Sequence, residues 1–211
     1  MKKLLLLLTI FYFPVTIAQA QLLGDQQIDS NISSSLALNV GRLPDKNASD
    51  FELVKYIEQL LTKVFPGDAP YMTNVTISIM SQAEPEAYNL HDNLVMELHI
   101  SRGLVALFQN ESEFAFIIAH EYFHFKKNHK GTATIRFGDI SENFELREKQ
   151  ELEADQLATQ SITDKGFDSC AQLTLYQRIP GYDSVSDDSN NPYDTIIRKR
   201  MAAARSRCKS K

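Results

Sequence analysis

Cysteine and histidine are both scarce in this chain: 211 residues include two Cys and five His. Two Cys are too few for a cysteine-rich zinc array or a small multi-disulfide scaffold. Positive charge is also short, with 22 Lys and Arg against 27 Asp and Glu and a net charge of −5. A dedicated nucleic-acid binder would be basic, so no nucleic-acid partner is expected. A mean hydropathy of −0.27 excludes a polytopic membrane protein. What is present, 43% hydrophobic and 23% charged residues, is ordinary globular composition and enough for one substantial core. The few His are unevenly spread: His120, His124 and His129 fall within ten residues.

The one long apolar run covers residues 4–17, behind Lys2 and Lys3 and ahead of Ala18-Gln19-Ala20. A basic start, a short apolar stretch and a small-x-small site read as a signal peptide over residues 1–20, with the mature chain beginning at Gln21. Pro14 interrupts the run, which is short for a membrane span, and no Cys follows it to carry a lipid. The expectation is an exported bacterial protein, periplasmic or secreted, with no membrane span after processing. In such a compartment Cys170 and Cys208 are expected to be bridged, worth about 4 kcal/mol by loop entropy. No His follows residue 129 to sit locally beside either Cys as a nucleophile pair.

Residues 21–48 are rich in Gln, Ser, Asn and Asp and read as a linker or flexible arm, and residues 49–211 as a single domain. Ser49 and Glu52 form a capping box that opens a helix, which Pro66-Gly67 stops. Residues 71–80 alternate as a strand, 85–93 read as a turn, 94–100 as a second strand and 101–108 as a short helix. Asn110 caps a long helix that is expected to run to Lys130 and end at Gly131. Further helices are expected over 141–165, from Asp168, and over 193–207, the last preceded by an acidic loop. The layout is α+β, mostly helical with a small sheet.

In the middle of the long helical segment residues 120–124 read His-Glu-Tyr-Phe-His, the HExxH pattern. His at i and i+4 project from one helix face and can both reach one zinc ion. Glu121 beside them can take a proton from water activated at the metal and return it to the leaving amine. With five His and thirteen Glu in the chain, composition alone would produce this pattern with a probability of ~0.7%. His129 lies nine residues after His120, close to 180° round an unbroken helix, and is expected at the helix end outside the site. A catalytic zinc site needs a third protein ligand and one open position. Since no His follows residue 129, that ligand is sought among carboxylates. At 100° per residue Phe144, Glu148, Glu151, Asp155, Ala158 and Ile162 share one stripe, while Glu153 falls off it and reads as solvated. Glu151 is the first choice of ligand and Glu148 its competitor. Asp155, one turn on, can hydrogen-bond a ligand His and fix its tautomer.

His120-Glu121-x-x-His124 followed by Glu151-x-x-Ala154-Asp155 resembles the gluzincin peptidases of the HtpX and Oma type, the family that includes the CaaX prenyl proteases. The likeness covers residues 75–158 and takes in Ile100-Ser101-Arg102-Gly103-Leu104 and Glu113. It implies a zincin-like fold with a small sheet beside the HExxH helix, and one Zn2+ per chain on His120, His124 and Glu151. It also implies Glu121 as general base, Asp155 behind a ligand, and a polypeptide substrate, unfolded or extended, paired along an edge strand placed at residues 93–100. Relatives carry a His-Pro element near the C-terminus followed by a basic residue. Here Asn191-Pro192 stands in its place, which leaves Tyr182, Arg198 and Arg200 as candidates to stabilise the oxyanion.

The resulting expectation is a periplasmic zinc endopeptidase acting on exported or misfolded proteins. The alternative from another class is a chaperone-like or adaptor protein with a structural or latent zinc site. The basic segment from Arg198 to Lys211 could touch anionic lipid at the membrane periphery, but a solvated face packed through Ile196, Ile197 and Met201 is the simpler reading. The acidic stretch 183–188 lacks the spaced ligands of a calcium loop.

Overall fold

The structure is a computed structural model that describes residues 41–68, 73–92, 94–129, 144–182, 185–186 and 189–208. The expected signal peptide, the expected arm as far as residue 40, and most of the acidic stretch lie outside the described residues. Helix α1 (Asp50–Val64) starts where its capping chemistry puts it. The Ser49 hydroxyl accepts from the Glu52 amide, and the Glu52 carboxylate accepts from the Ser49 amide at 2.7 Å. These reciprocal bonds satisfy donors that a helix start leaves open. Leu53, Ile57, Leu60 and Leu61 recur at helical spacing and are all buried, so α1 lays one apolar stripe on the core.

Three strands follow, β1 (Val75–Met80), β2 (Ala87–His91) and β3 (Met96–Ser101). β3 is the middle strand, parallel to β1 and antiparallel to β2. β2 runs where the sequence reads as a turn. Its alternation is disguised, because it buries the polar Asn89 and leaves Leu90 41% exposed. The Asp92 carboxylate makes the hairpin turn by accepting from the amides of Leu94 and Val95. Met96, Leu98 and Ile100 then bury one face of β3. Ser101 caps α2 (Arg102–Leu107), and Gly103 is required there: a Cβ would meet the Ala83 carbonyl oxygen at 1.9 Å. The same approach lets the Gly103 amide bond Gln82 and fixes the loop leading into β2.

Helix α3 (Glu111–Lys126) is central. It is buried on nearly every side from Glu113 to Tyr122, packed among α1, β2, α4 (Phe144–Asp164) and α5 (Ala171–Tyr176). A helix apolar all round belongs inside, which is why its own periodicity does not mark a functional face. It also ends earlier than the expected Lys130. Lys127 is the C-cap and Asn128 takes φ 52°. The amides of His129 and Asn128 then close back on the carbonyls of His124 and Phe125, both at 2.9 Å. Asn is the residue besides Gly that enters this left-handed turn readily.

Helix α6 (Pro192–Cys208) packs on α4 and α5, and the Cys170–Cys208 disulfide ties its end to the residue before α5. Ile196 and Met201 are buried, as the apolar pattern predicts. The fold is α+β as expected, mostly helical with a small sheet beside α3. Among the described residues no helix is long and apolar enough to cross a membrane.

Candidate metal centre

His120 and His124 sit one turn apart on α3 with their Nε2 atoms 3.0 Å from each other, both rings buried. From α4, Glu151 brings Oε2 to 3.4 Å from His120 Nε2 and Oε1 to 3.9 Å from His124 Nε2. Among the described residues these three side chains form the group able to hold a metal ion, with ligand atoms all within 4.8 Å of one another. The spacings fit one ion, since two ligands on a tetrahedral zinc with ~2 Å bonds lie ~3.3 Å apart.

A polar scaffold stands behind the donors. His120 Nδ1 lies 2.9 Å from Asp155 Oδ1, so a carboxylate stands behind the ring nitrogen that is turned away from the cluster. Asp155 is fully buried and also accepts from the Tyr176 hydroxyl and from Arg200 Nε and Nη2, each at 2.9 Å. Arg200 Nη1 is 2.7 Å from Glu151 Oε2, so one guanidinium from α6 bridges both carboxylates of α4. Burial pushes these carboxyls up, but Arg200 and His120 outweigh it: Asp155 falls to about 2 and Glu151 well below the usual carboxylate range. His120 is pulled down by burial, yet its bonds to Asp155 and Glu151 carry it up to about 9. Burial and the neighbouring His120 push His124 down to about 2, which keeps that ring neutral.

Glu121 has its own holder. Asn89 of β2 donates through Nδ2 to Glu121 Oε2 at 2.7 Å and to the Glu121 carbonyl at 3.1 Å. Burial raises the Glu121 carboxyl, with His120 and Asn89 pulling the other way. A carboxylate shifted upward is a stronger proton acceptor than an ordinary one. The cluster opens on a cavity of about 240 Å³ walled by Ala87, Tyr88, Leu104, Ile117, Arg147 and Tyr182.

Several sequence expectations are redistributed by the tertiary fold. Glu148, the competing ligand, faces Lys199 at 2.6 Å and lies outside the cluster. Of the three oxyanion candidates, Tyr182 and Arg200 both line the cavity, and Arg200 also bonds Glu151, Asp155 and Tyr176. Arg198 bonds the carbonyls of Ser186 and Ser189, so its guanidinium is engaged by the loop before α6. The edge strand is also corrected. Of that segment, Met96 to Ile100 belong to β3, which is paired on both sides, and among the described residues the edge beside Glu121 is β2. The basic residues of α6 are divided: Lys199 is exposed beside Glu148, whereas Arg200 is mostly covered, at 11% exposure, and Arg207 bonds Gln172.

His129 follows the helix end and stands outside the three donors, as expected, but its ring is drawn in beside one of them. The 180° argument assumes an unbroken helix, and the Asn128 turn breaks it. His129 is buried with Nδ1 3.1 Å from His124 Nδ1. Asn128 was the available signal for this turn. Asn89 and Tyr176 carried none, because each reaches the cluster from an element whose position only the assembled fold defines.

Residues 52–142 match the profile of Peptidase family M48, and residues 112–179 match that of Peptidase U49. No curated protein matches the chain. The two profiles overlap on the helix that presents His120, Glu121 and His124; they mark the chain as a metallopeptidase, similar to those of the HtpX and Oma type.

Proposed function

We propose that the chain is an exported endopeptidase that holds one Zn2+ on His120, His124 and Glu151 and uses Glu121 as general base on extended or misfolded polypeptides. The convergence of these three donors beside a carboxylate held from an edge strand carries the reading. When bound, zinc supplies a Lewis acid that polarises a peptide carbonyl and acidifies water. Glu121 accepts the proton of the attacking water and passes it to the leaving amine nitrogen. Asn89 occupies Glu121 Oε2, which leaves Oε1 for that proton. Asp155 holds the His120 ring and Arg200 holds Glu151. The Tyr182 hydroxyl on the cavity wall is the candidate donor to the carbonyl oxygen as it gains negative charge.

The outer edge of β2 supports an extended substrate, since β2 is paired on one side among the described residues and such a strand offers backbone donors and acceptors to another chain. Export is supported by the pattern of residues 1–20 and by the Cys170–Cys208 bond, a linkage that persists in oxidising compartments. A Glu121→Gln protein should keep its zinc and cleave casein or an unfolded outer-membrane protein about 10²–10⁴-fold more slowly. Equal rates for the two proteins would refute the assignment. Asn191, standing where relatives carry His, favours one second reading: a chaperone-like or adaptor protein with a structural zinc site. In that case Glu121→Gln would function normally in cells while His124→Ala would not.

A further inference from the structure

We propose that His129 is a positioning residue of the metal site, fixing the ring of His124 as Asp155 fixes that of His120. The inference rests on reading His124 as a ligand. With Nε2 of His124 turned toward the cluster, Nδ1 is its remaining polar atom, and it lies 3.1 Å from His129 Nδ1. The two rings meet edge to face, 5.1 Å between centroids and 71° between planes. The other nitrogen of His129, Nε2, is 3.5 Å from Glu153 Oε2, and Glu153 Oε1 is 3.1 Å from Lys127 Nζ.

Proton counting gives this chain of groups a direction. A neutral imidazole carries one N–H, and an ionised carboxylate accepts only. Glu153 therefore draws the His129 proton to Nε2, which leaves Nδ1 as an acceptor. His124 fills that acceptor by carrying its own proton on Nδ1, and its Nε2 lone pair is then free to face a cation. The tautomer that a ligand needs is thus selected from a carboxylate two rings away.

The backbone enforces the contact as well. The turn at Asn128 closes the His129 amide onto the His124 carbonyl at 2.9 Å, so main chain and side chain of His129 both engage the same residue. One helix also supplies both anchors: on α4, Asp155 faces inward to His120, while Glu153 on the flank reaches His129. The two supports differ in kind. Asp155 places a buried charge behind its ligand, whereas His129 interposes a neutral ring between its ligand and a carboxylate that is 38% exposed.

The test uses the full chain, with zinc affinity measured by competition against a chelating dye and the visible spectrum of the Co2+-substituted protein as a second readout. His129→Phe keeps an aromatic ring at the position and removes both nitrogens; His129→Gln supplies an acceptor oxygen and a donor amide. His129→Phe should weaken zinc binding about 10–100-fold and shift the cobalt bands. His129→Gln should recover most of the affinity. A folded His129→Phe protein with wild-type affinity and spectrum would overturn the inference, as would a Gln variant no better than the Phe variant. Should His129→Phe fail to fold, Glu153→Met carries the test: a weaker site with shifted cobalt bands supports the relay, and an unchanged one overturns it. A wild-type protein that binds no zinc would overturn the metal reading and this inference together. Zinc lost in His124→Ala but unaffected in His129→Phe would overturn this inference alone.

Discussion

Arg200 offers the most direct test of how the centre is held together before any metal enters. Its side chain is 11% exposed and faces Glu151 and Asp155, which are 8% and 0% exposed. Arg200→Met keeps much of the volume and removes the positive charge. It leaves two buried carboxylates that, among the described residues, have His120 beside both of them. Removing one partner of a buried ionic group costs about 3–5 kcal/mol, because the charge left behind is not resolvated. For a domain of this size that corresponds to a fall in Tm of roughly 6–20 °C. Urea and thermal unfolding in EDTA would measure it. Losing an exposed pair such as Lys55–Glu58, with side chains 41% and 49% exposed, should cost less than about 1 kcal/mol.

The pH dependence adds a second handle with a definite sign. Asp155 and Glu151 have depressed folded-state values, so their stabilising contribution is present above the ordinary carboxylate range and is lost as pH falls through it, for Asp155 toward about 2. Arg200 is the largest favourable cause of that depression. The penalty of Arg200→Met should therefore be greatest near pH 7 and shrink as the medium is acidified below pH ~4. A variant that unfolds within about 1 kcal/mol of wild type at pH 7 in EDTA would refute the claim that this guanidinium balances the two carboxylates.

Three other substitutions probe separate parts of the site and frame. Asn89→Leu removes the donor to Glu121 Oε2 and should lower kcat about 10–100-fold, with zinc content unchanged, in a steady-state peptide assay. Tyr182→Phe should lower kcat by about 10²-fold or more while KM moves little; unchanged kcat would remove Tyr182 from the chemistry. The Cys170→Ser, Cys208→Ser double variant opens a loop of sequence separation 38 and should lose about 4 kcal/mol in chemical unfolding.

Features written in neighbouring residues were readable from the chain. The Ser49–Glu52 box, the HExxH spacing and the stripe through Glu151 and Asp155 each depend on local geometry, and each falls on the element expected. Features that depend on one element meeting another were not. β2 looks like a turn because the residue it buries is Asn89, whose partner Glu121 lies 32 positions away. Arg200 reads as one more charge in a basic run until α6 packs on α4. His129 shows a different failure: the geometric rule was sound, but it was carried past the point where Asn128 ends the helix.

The disulfide has a bearing on the protein's survival as a peptidase. Helix α6 is joined to the rest of the chain twice, through residues 177–191 and through Cys170–Cys208. A cut in that stretch would produce two polypeptides but one particle, with Arg200 still tethered to the helix that carries Glu151. A peptidase nicked in that loop thus keeps Arg200 attached to the chain that carries its donors. The damage would show on a gel only after the sample is reduced, and reductant rather than self-cleavage would end the activity.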